Sequence, residues 1–232
     1  MPCTAAPQDF ADTWKRCIMN GSTKGNAMIT IQLENELQPG AEATLHLPGL
    51  TQIEFYEFCR RNPLLHAERN ANGEITLMMP GDTYGGSRNS ELVTDIAVWN
   101  RKLPTPGLVP DSSSGYTLPS GVERSPDASW LPRSQWDAIP IVQRHPFAHT
   151  VPPFVVELMS PSDRLKKAQD KMEEYMANGV ALGWLLDRAN RTVYVYRPGQ
   201  TVQTLTDPPT LSGDPELPGL IVDIARIFAP ES

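Results

Sequence analysis

Residues 154–187 read FVVELMSPSDRLKKAQDKMEEYMANGVALGWLLD, and the fold turns on them. Phe154-Val-Val-Glu-Leu-Met159 is an apolar run of the kind that forms a buried strand. From Asp163 to Asn178 the apolar residues Leu165, Ala168, Met172, Tyr175 and Met176 recur on one helical face. Ser162 is placed to cap the start of this helix, and Asn178-Gly179 to stop it. Ala181 to Leu186 is a second apolar strand, so the segment predicts a βαβ unit. The expected fold is α/β, a mixed β-sheet flanked by helices with this unit at its centre. One residue breaks the run. A carboxylate inside a buried strand costs on the order of several kcal/mol unless it is paired or bound to metal, so Glu157 demands a reason.

Working outward, Asp187 to Arg191 turns the chain into Thr192-Val-Tyr-Val-Tyr-Arg197, whose alternation predicts a strand antiparallel to the previous one. Upstream, Val109 to Trp130 carries many turn residues around short β runs, which suits a sheet edge that enters the core at Ala128. Ser87 to Leu103 has Leu92, Ile96 and Trp99 at helical spacing. His66–Arg69 and Glu74–Met79 flank the Asn72-Gly73 turn signal and predict a hairpin. Thr51 and the stripe Ile53, Phe55, Tyr56 and Phe58 predict a short capped helix ending at Asn62-Pro63. Residues 1–45, with an amphipathic stretch at Phe10 to Met19 and an alternating run at Met28 to Leu33, are expected to form an arm ahead of one domain at 46–232. Trp99, Trp130 and Trp184 read as core.

The bulk properties limit the function classes. A chain of 232 residues that is 40% hydrophobic carries one substantial core. The 23 prolines and 16 glycines are spread along it as punctuation. Cys3, Cys17 and Cys59 are widely spaced with no CxxC, so neither a disulfide framework nor a zinc knuckle is indicated, the pattern expected of a reducing cytoplasm. No apolar run approaches the roughly 18 residues that span a bilayer. The net charge of −7 argues against a large DNA-coating surface, although a site built for magnesium must itself concentrate carboxylates. No phosphate loop of the GxxxxGK[ST] type and no GxSxG elbow is present, and His66-x-Glu68 lacks the Pro-Cys-x-x-Cys that a zinc deaminase requires.

Three charged residues stand where the pattern would accept apolar ones. Asp127 begins a strand in Arg124-Ser-Pro-Asp-Ala-Ser-Trp130, Glu157 interrupts its strand, and Lys171 borders the apolar face of the following helix. Two carboxylates from adjacent strands suit magnesium, and a lysine two turns into the next helix can reach the same pocket to hold a water or a phosphate oxygen. That is the toolkit of phosphodiester hydrolysis. Each residue also has an ordinary reading. Asp127 can cap a turn after Pro126, Glu157 can pair with Arg164 or Lys171, and Lys166, Lys167 and Lys171 can decorate a solvated face.

These segments together resemble a large bacterial family, plentiful in cyanobacteria, of restriction-endonuclease-like proteins in the PD-(D/E)xK nuclease superfamily. The resemblance covers about residues 50–228. It is carried by Arg88-Asn89, Asp111-Ser-Ser-Ser-Gly-Tyr116, Arg124 to Trp130, Phe154 to Asp163, Lys171-Met-x-Glu-Tyr-x-x-Asn-Gly179, Gly183-Trp-Leu-Leu-Asp187 and Leu217-Pro-Gly-Leu220. It implies that Asp127 and Glu157 hold Mg2+ or Mn2+, with the Leu158 carbonyl completing the coordination. The lysine expected two places after the glutamate is replaced by Met159, and the resemblance moves its role to Lys171. Glu68 is similar to a family glutamate near the site, and Asp111, although it reads first as a turn, lies in a family motif. DNA is the implied substrate and a homodimer the implied assembly. The competing expectation is a non-catalytic binding or regulatory module on the same scaffold.

Overall fold

The two apolar runs pair as their composition requires. Phe154–Leu158 and Leu182–Asp187 lie side by side and parallel, with Val156 opposite Trp184 and Glu157 opposite Leu185. The computed structural model describes residues 50–62, 65–78, 83–160 and 163–230, together with the backbone of one strand further upstream. In chain order the elements are β1 (Glu42–His46), α1 (Gln52–Arg61), β2 (His66–Arg69), β3 (Glu74–Met78), α2 (Thr83–Asn100), β4 (Tyr116–Thr117), β5 (Glu123–Arg124), β6 (Ala128–Trp130), α3 (Arg133–Ala138), β7 (Ala148–His149), β8 (Phe154–Leu158), α4 (Leu165–Ala177), β9 (Leu182–Asp187), β10 (Thr192–Tyr196), β11 (Gln203–Thr206), β12 (Thr210–Ser212), β13 (Ile221–Asp223) and α5 (Ile224–Ile227).

The strands divide between two larger sheets and a two-stranded ribbon. One sheet has the order β11-β10-β9-β8-β6, the other β1-β3-β2-β5-β4-β7, and β12 pairs with β13. Within the first of these only β8 and β9 run parallel, and α4 makes the crossover between them. Successive side chains of a strand point to opposite faces. Phe154, Val156, Leu182, Trp184 and Leu186 therefore join a core completed by Leu92, Ile96 and Trp99 of α2 and by Ile224 and Ile227 of α5. Phe154 and Trp184 meet there edge to face, with ring centroids 4.7 Å apart. Val155, Met159 and Leu185 face the other way and bury against Met172 and Tyr175 of α4. The helix lies close to the sheet at Gly183, where a Cβ would come within 2.5 Å of Met172 Cε.

The predicted elements are found from Thr51 onward. Thr51 closes a reciprocal capping box with Glu54 at the start of α1. β2 and β3 form the expected hairpin, and β10 runs antiparallel to β9. Asn178 caps α4, and Gly179 follows at a φ of +100°, a conformation glycine adopts without strain. Two boundaries differ. The N-cap of α4 is Arg164, with no side-chain cap, because Ser160 and Asp163 close a turn on each other through Asp163 Oδ2 and the Ser160 carbonyl. Ser162 lies outside the described residues. α2 starts at Thr83, ahead of the expected Ser87 and through two glycines, since its first turns are tied to the chain end by Tyr84 and Arg88, which donate to the carbonyl of Ala229. The arm expected at 1–45 and its run at Met28 lie outside the described residues except for β1, whose backbone pairs with β3. No described helix is long and apolar enough to cross a membrane.

Met172 is fully buried between α4 and the central sheet. Its replacement by alanine leaves a cavity and is expected to lower unfolding free energy by about 2–5 kcal/mol, measured by urea denaturation.

Candidate functional site

The period of two in β8 decides where Glu157 points. It shares a face with Val155 and Met159, so its carboxylate is delivered to the α4 side and not to the α2 side. β6 pairs antiparallel with β8 through Ala128 opposite Val156. Asp127 immediately precedes this pair, in the bend that leads into β6. The Leu158 N–H donates to Asp127 Oδ2 at 2.7 Å and fixes that side chain across the strand pair.

α4 supplies the other half. Lys171, Glu174 and Tyr175 sit at i, i+3 and i+4 and so form one stripe toward the sheets. Lys171 Nζ lies 2.9 Å from Glu157 Oε1 and 2.9 Å from Glu68 Oε1, and thereby joins α4 to both β8 and β2. The Tyr175 hydroxyl also donates to Glu157 Oε1, at 2.9 Å. Glu68 Oε1 accepts the Ser125 N–H at 3.0 Å. Arg124 stands between Glu68, 3.6 Å away, and Glu174, 2.6 Å away. On the opposite face of the same two strands Arg69 faces Glu123 at 3.6 Å. β2 and β5 thus carry back-to-back ion pairs, with the Glu68–Arg124 pair turned to the site.

The cluster holds more negative charge than its cations neutralise. Burial pushes the Glu157 carboxyl up to about 8, against the pull of Lys171 and with the like charges of Asp127 and Glu68 adding to the rise. Asp127 is raised by burial and, to a smaller degree, by Glu68 and Asp163, although the Leu158 N–H and Lys171 oppose this. Burial also works to raise Glu68, yet Lys171 and Arg124 together hold its carboxyl below the usual range. Burial opposes the charge on Lys171, but Glu157 and Glu68 overcome it and hold the ammonium well above its ordinary value. The Tyr175 phenol is pushed well up by burial and by the adjoining Glu157.

Asp127, Glu157, Lys171 and Glu68 are thus brought together. Asp111 is not joined to them by any described side-chain contact. Its backbone forms a bridge to Ala128, while its Oδ1 accepts the Ser113 N–H and hydroxyl in a turn. Arg164, the alternative partner for Glu157, is exposed at the helix start. Arg124, Glu174, Asp163 and the hydroxyl of Tyr175 were not anticipated. The stripe Lys171, Glu174 and Tyr175 was visible as spacing, but a tyrosine on an apolar face reads first as packing.

The donor chemistry fits a hard cation. Asp127 and Glu157 each have one oxygen tied to protein donors, Oδ2 and Oε1 respectively, and no described donor meets the other. The set holds oxygen ligands without His or Cys, which suits Mg2+ or Mn2+ and not zinc. Among the described residues no three His, Cys, Asp or Glu side chains form a ready-made cage. Magnesium commonly takes only one or two carboxylates and completes its shell with water and phosphate.

The raised Glu157 gives a pH dependence of definite sign. A carboxyl whose folded-state value lies above its unfolded one contributes stability below about 4.5 and loses it as pH rises to about 8. Asp127 acts in the same sense. Glu68, held low, acts only below the ordinary carboxyl range. In metal-free buffer the thermal midpoint is expected to fall as pH rises through this window, and Glu157→Gln to flatten the decline. Equal slopes in the two proteins would sink the assignment.

Comparison with known proteins bears on the family and the fold. A family model described as "Putative restriction endonuclease" (Uma2) matches residues 53–225. A crystal structure described as that of a "putative nuclease belonging to DUF820" from Anabaena variabilis is 22% identical, covering 70% of this chain and 89% of that one with a TM-score of 0.57. At that identity the likeness concerns the fold. No curated protein matches the chain. With well over half of its length matched, the chain belongs to the Uma2 family, the one described as "Putative restriction endonuclease".

Proposed function

We propose that this chain hydrolyses phosphodiester bonds of DNA as a magnesium- or manganese-dependent endonuclease, with Asp127 and Glu157 holding the cation and Lys171 serving the phosphate. The observation that carries the reading is the meeting of Asp127, Glu157 and Lys171 from three separate elements in a chain of this family. Burial raises both the Asp127 and the Glu157 carboxyls, so a divalent ion that binds there displaces protons, and its affinity rises with pH.

A bound ion supplies Lewis acidity at the phosphoryl oxygen and acidifies a coordinated water. The protein's own residues do the rest. Lys171, held as an ammonium between Glu157 and Glu68, is a donor and not a general base in this arrangement. It orients the attacking water or a phosphate oxygen and offsets the charge that builds on the pentavalent phosphorus. Glu68, pinned by Arg124 and the Ser125 N–H, sets where that ammonium rests. No covalent enzyme intermediate is required. A net charge of −7 confines DNA contact to the local surroundings of the site. Two such chains, each serving one strand, match the homodimer implied by the superfamily, and the sparse cysteines match a reducing cytoplasm.

A second reading is a non-catalytic binding module on the same scaffold. It is favoured by the double ion pairing of Lys171, which stabilises the fold whether or not any chemistry occurs.

Supercoiled plasmid and single-stranded DNA incubated with magnesium or manganese separate the two. The enzyme reading expects cleavage by the wild type, none by Glu157→Ala or Asp127→Ala, and a loss on the order of 10²–10³ in kcat for Lys171→Ala. Indistinguishable behaviour of wild type and Glu157→Ala assigns the chain to the binding module.

A further inference from the structure

Glu157 is held by two donors from one helix, and both fall on the same oxygen. Lys171 Nζ and the Tyr175 hydroxyl each lie 2.9 Å from Oε1. The two residues are four apart on α4 and rise from one stripe. No described donor meets Oε2, and the side chain retains 12% exposure. Tyr175 itself is completely buried, with its ring in the core beneath α4 and its hydroxyl in contact with the carboxylate. Neither burial nor packing requires a hydroxyl at this position, since a phenylalanine ring fills the same space. What the hydroxyl adds is a second, differently directed hydrogen bond to one oxygen of Glu157.

We propose that Tyr175 is a positioning residue for the divalent cation: with Lys171 it occupies Glu157 Oε1, turns Oε2 toward the open side of the site and makes Glu157 a one-oxygen ligand. The inference rests on the reading of Glu157 as a cation ligand and extends it to a residue outside the acidic and lysine set. A carboxylate anchored through one oxygen keeps a single orientation, so the cation meets a preorganised ligand. Without the hydroxyl, Lys171 alone holds Oε1. A single flexible ammonium, shared with Glu68, restrains the rotation of the carboxylate much less. Tyr175 touches neither substrate nor cation in this scheme and acts wholly through Glu157. Hydrogen-bond partners of metal-binding carboxylates and imidazoles typically change affinity by about ten- to a hundredfold when removed.

The test is Mn2+ binding to the full-length protein without DNA, followed by electron paramagnetic resonance of free Mn2+, for wild type, Tyr175→Phe, Glu157→Gln and the double variant. Tyr175→Phe is expected to weaken Mn2+ binding about tenfold or more. The same substitution in the Glu157→Gln background is expected to add nothing. In cleavage assays at fixed Mn2+ below saturation, the loss should appear in kcat, with KM for DNA unchanged. Wild-type affinity retained by Tyr175→Phe overturns the inference. So does an equal loss from Tyr175→Phe in both backgrounds, a comparison that stands even if the single variant is poorly folded. Mn2+ binding that depends on Tyr175 in a protein that cuts no DNA upholds this inference while the nuclease reading falls. A wild type that binds no Mn2+ overturns both.

Discussion

The shared ammonium of Lys171 is the constraint on which the site depends. Among the described residues it is the group that touches carboxylates from both larger sheets, Glu157 on the central sheet and Glu68 on the other. Buried carboxylates of like charge repel, and nothing in an apolar interior screens them. Remove the lysine, and Glu157, Asp127 and Glu68 are left close to one another with Arg124 beside Glu68. The helix that carries Lys171 is thus fastened electrostatically at one end of its stripe, by Lys171 and by Glu174 with Arg124, and by packing along the rest.

Much of this was legible in the sequence because the residues involved obey short-range rules. Two apolar runs joined by an amphipathic helix of the right length can do little but form a parallel pair with a crossover. A glutamate at the fourth place of such a run is an anomaly visible without any structure. Asp127 stands in its motif just ahead of β6, where the pairing of β6 with β8 brings its carboxylate to the Leu158 N–H, next to Glu157. Glu68 was harder. Its closeness to Lys171 comes from contact between two sheets, and no periodicity of the chain records how sheets meet.

What escaped the sequence did so for related reasons. Arg124 and Glu174 are fifty residues apart, and only folding makes them partners. The early start of α2, through Gly85 and Gly86, contradicts helix propensity. It holds because Tyr84 and Arg88 reach the carbonyl of Ala229 near the chain end, a tertiary contact that outweighs the local cost. The strands after residue 200 are three or four residues long and largely exposed, too brief for any alternation to reveal a strand. Asp111 reads first as a turn, an aspartate followed by serines, and it holds that turn here.

Locating the lysine on a helix instead of two places along the strand has a mechanical consequence. On a strand, glutamate and lysine would be joined by a short piece of extended backbone, and their separation would scarcely vary. Here the ammonium stands at the end of an arm whose pivot is the seat of α4 on the sheet, at Gly183 and Met172. A displacement of the helix by a fraction of an ångström is passed on to the charged tip, less whatever the lysine chain takes up. The spacing between the Glu157 carboxylate and the lysine is therefore open to adjustment through apolar residues of the helix seat, which lie apart from the charged cluster.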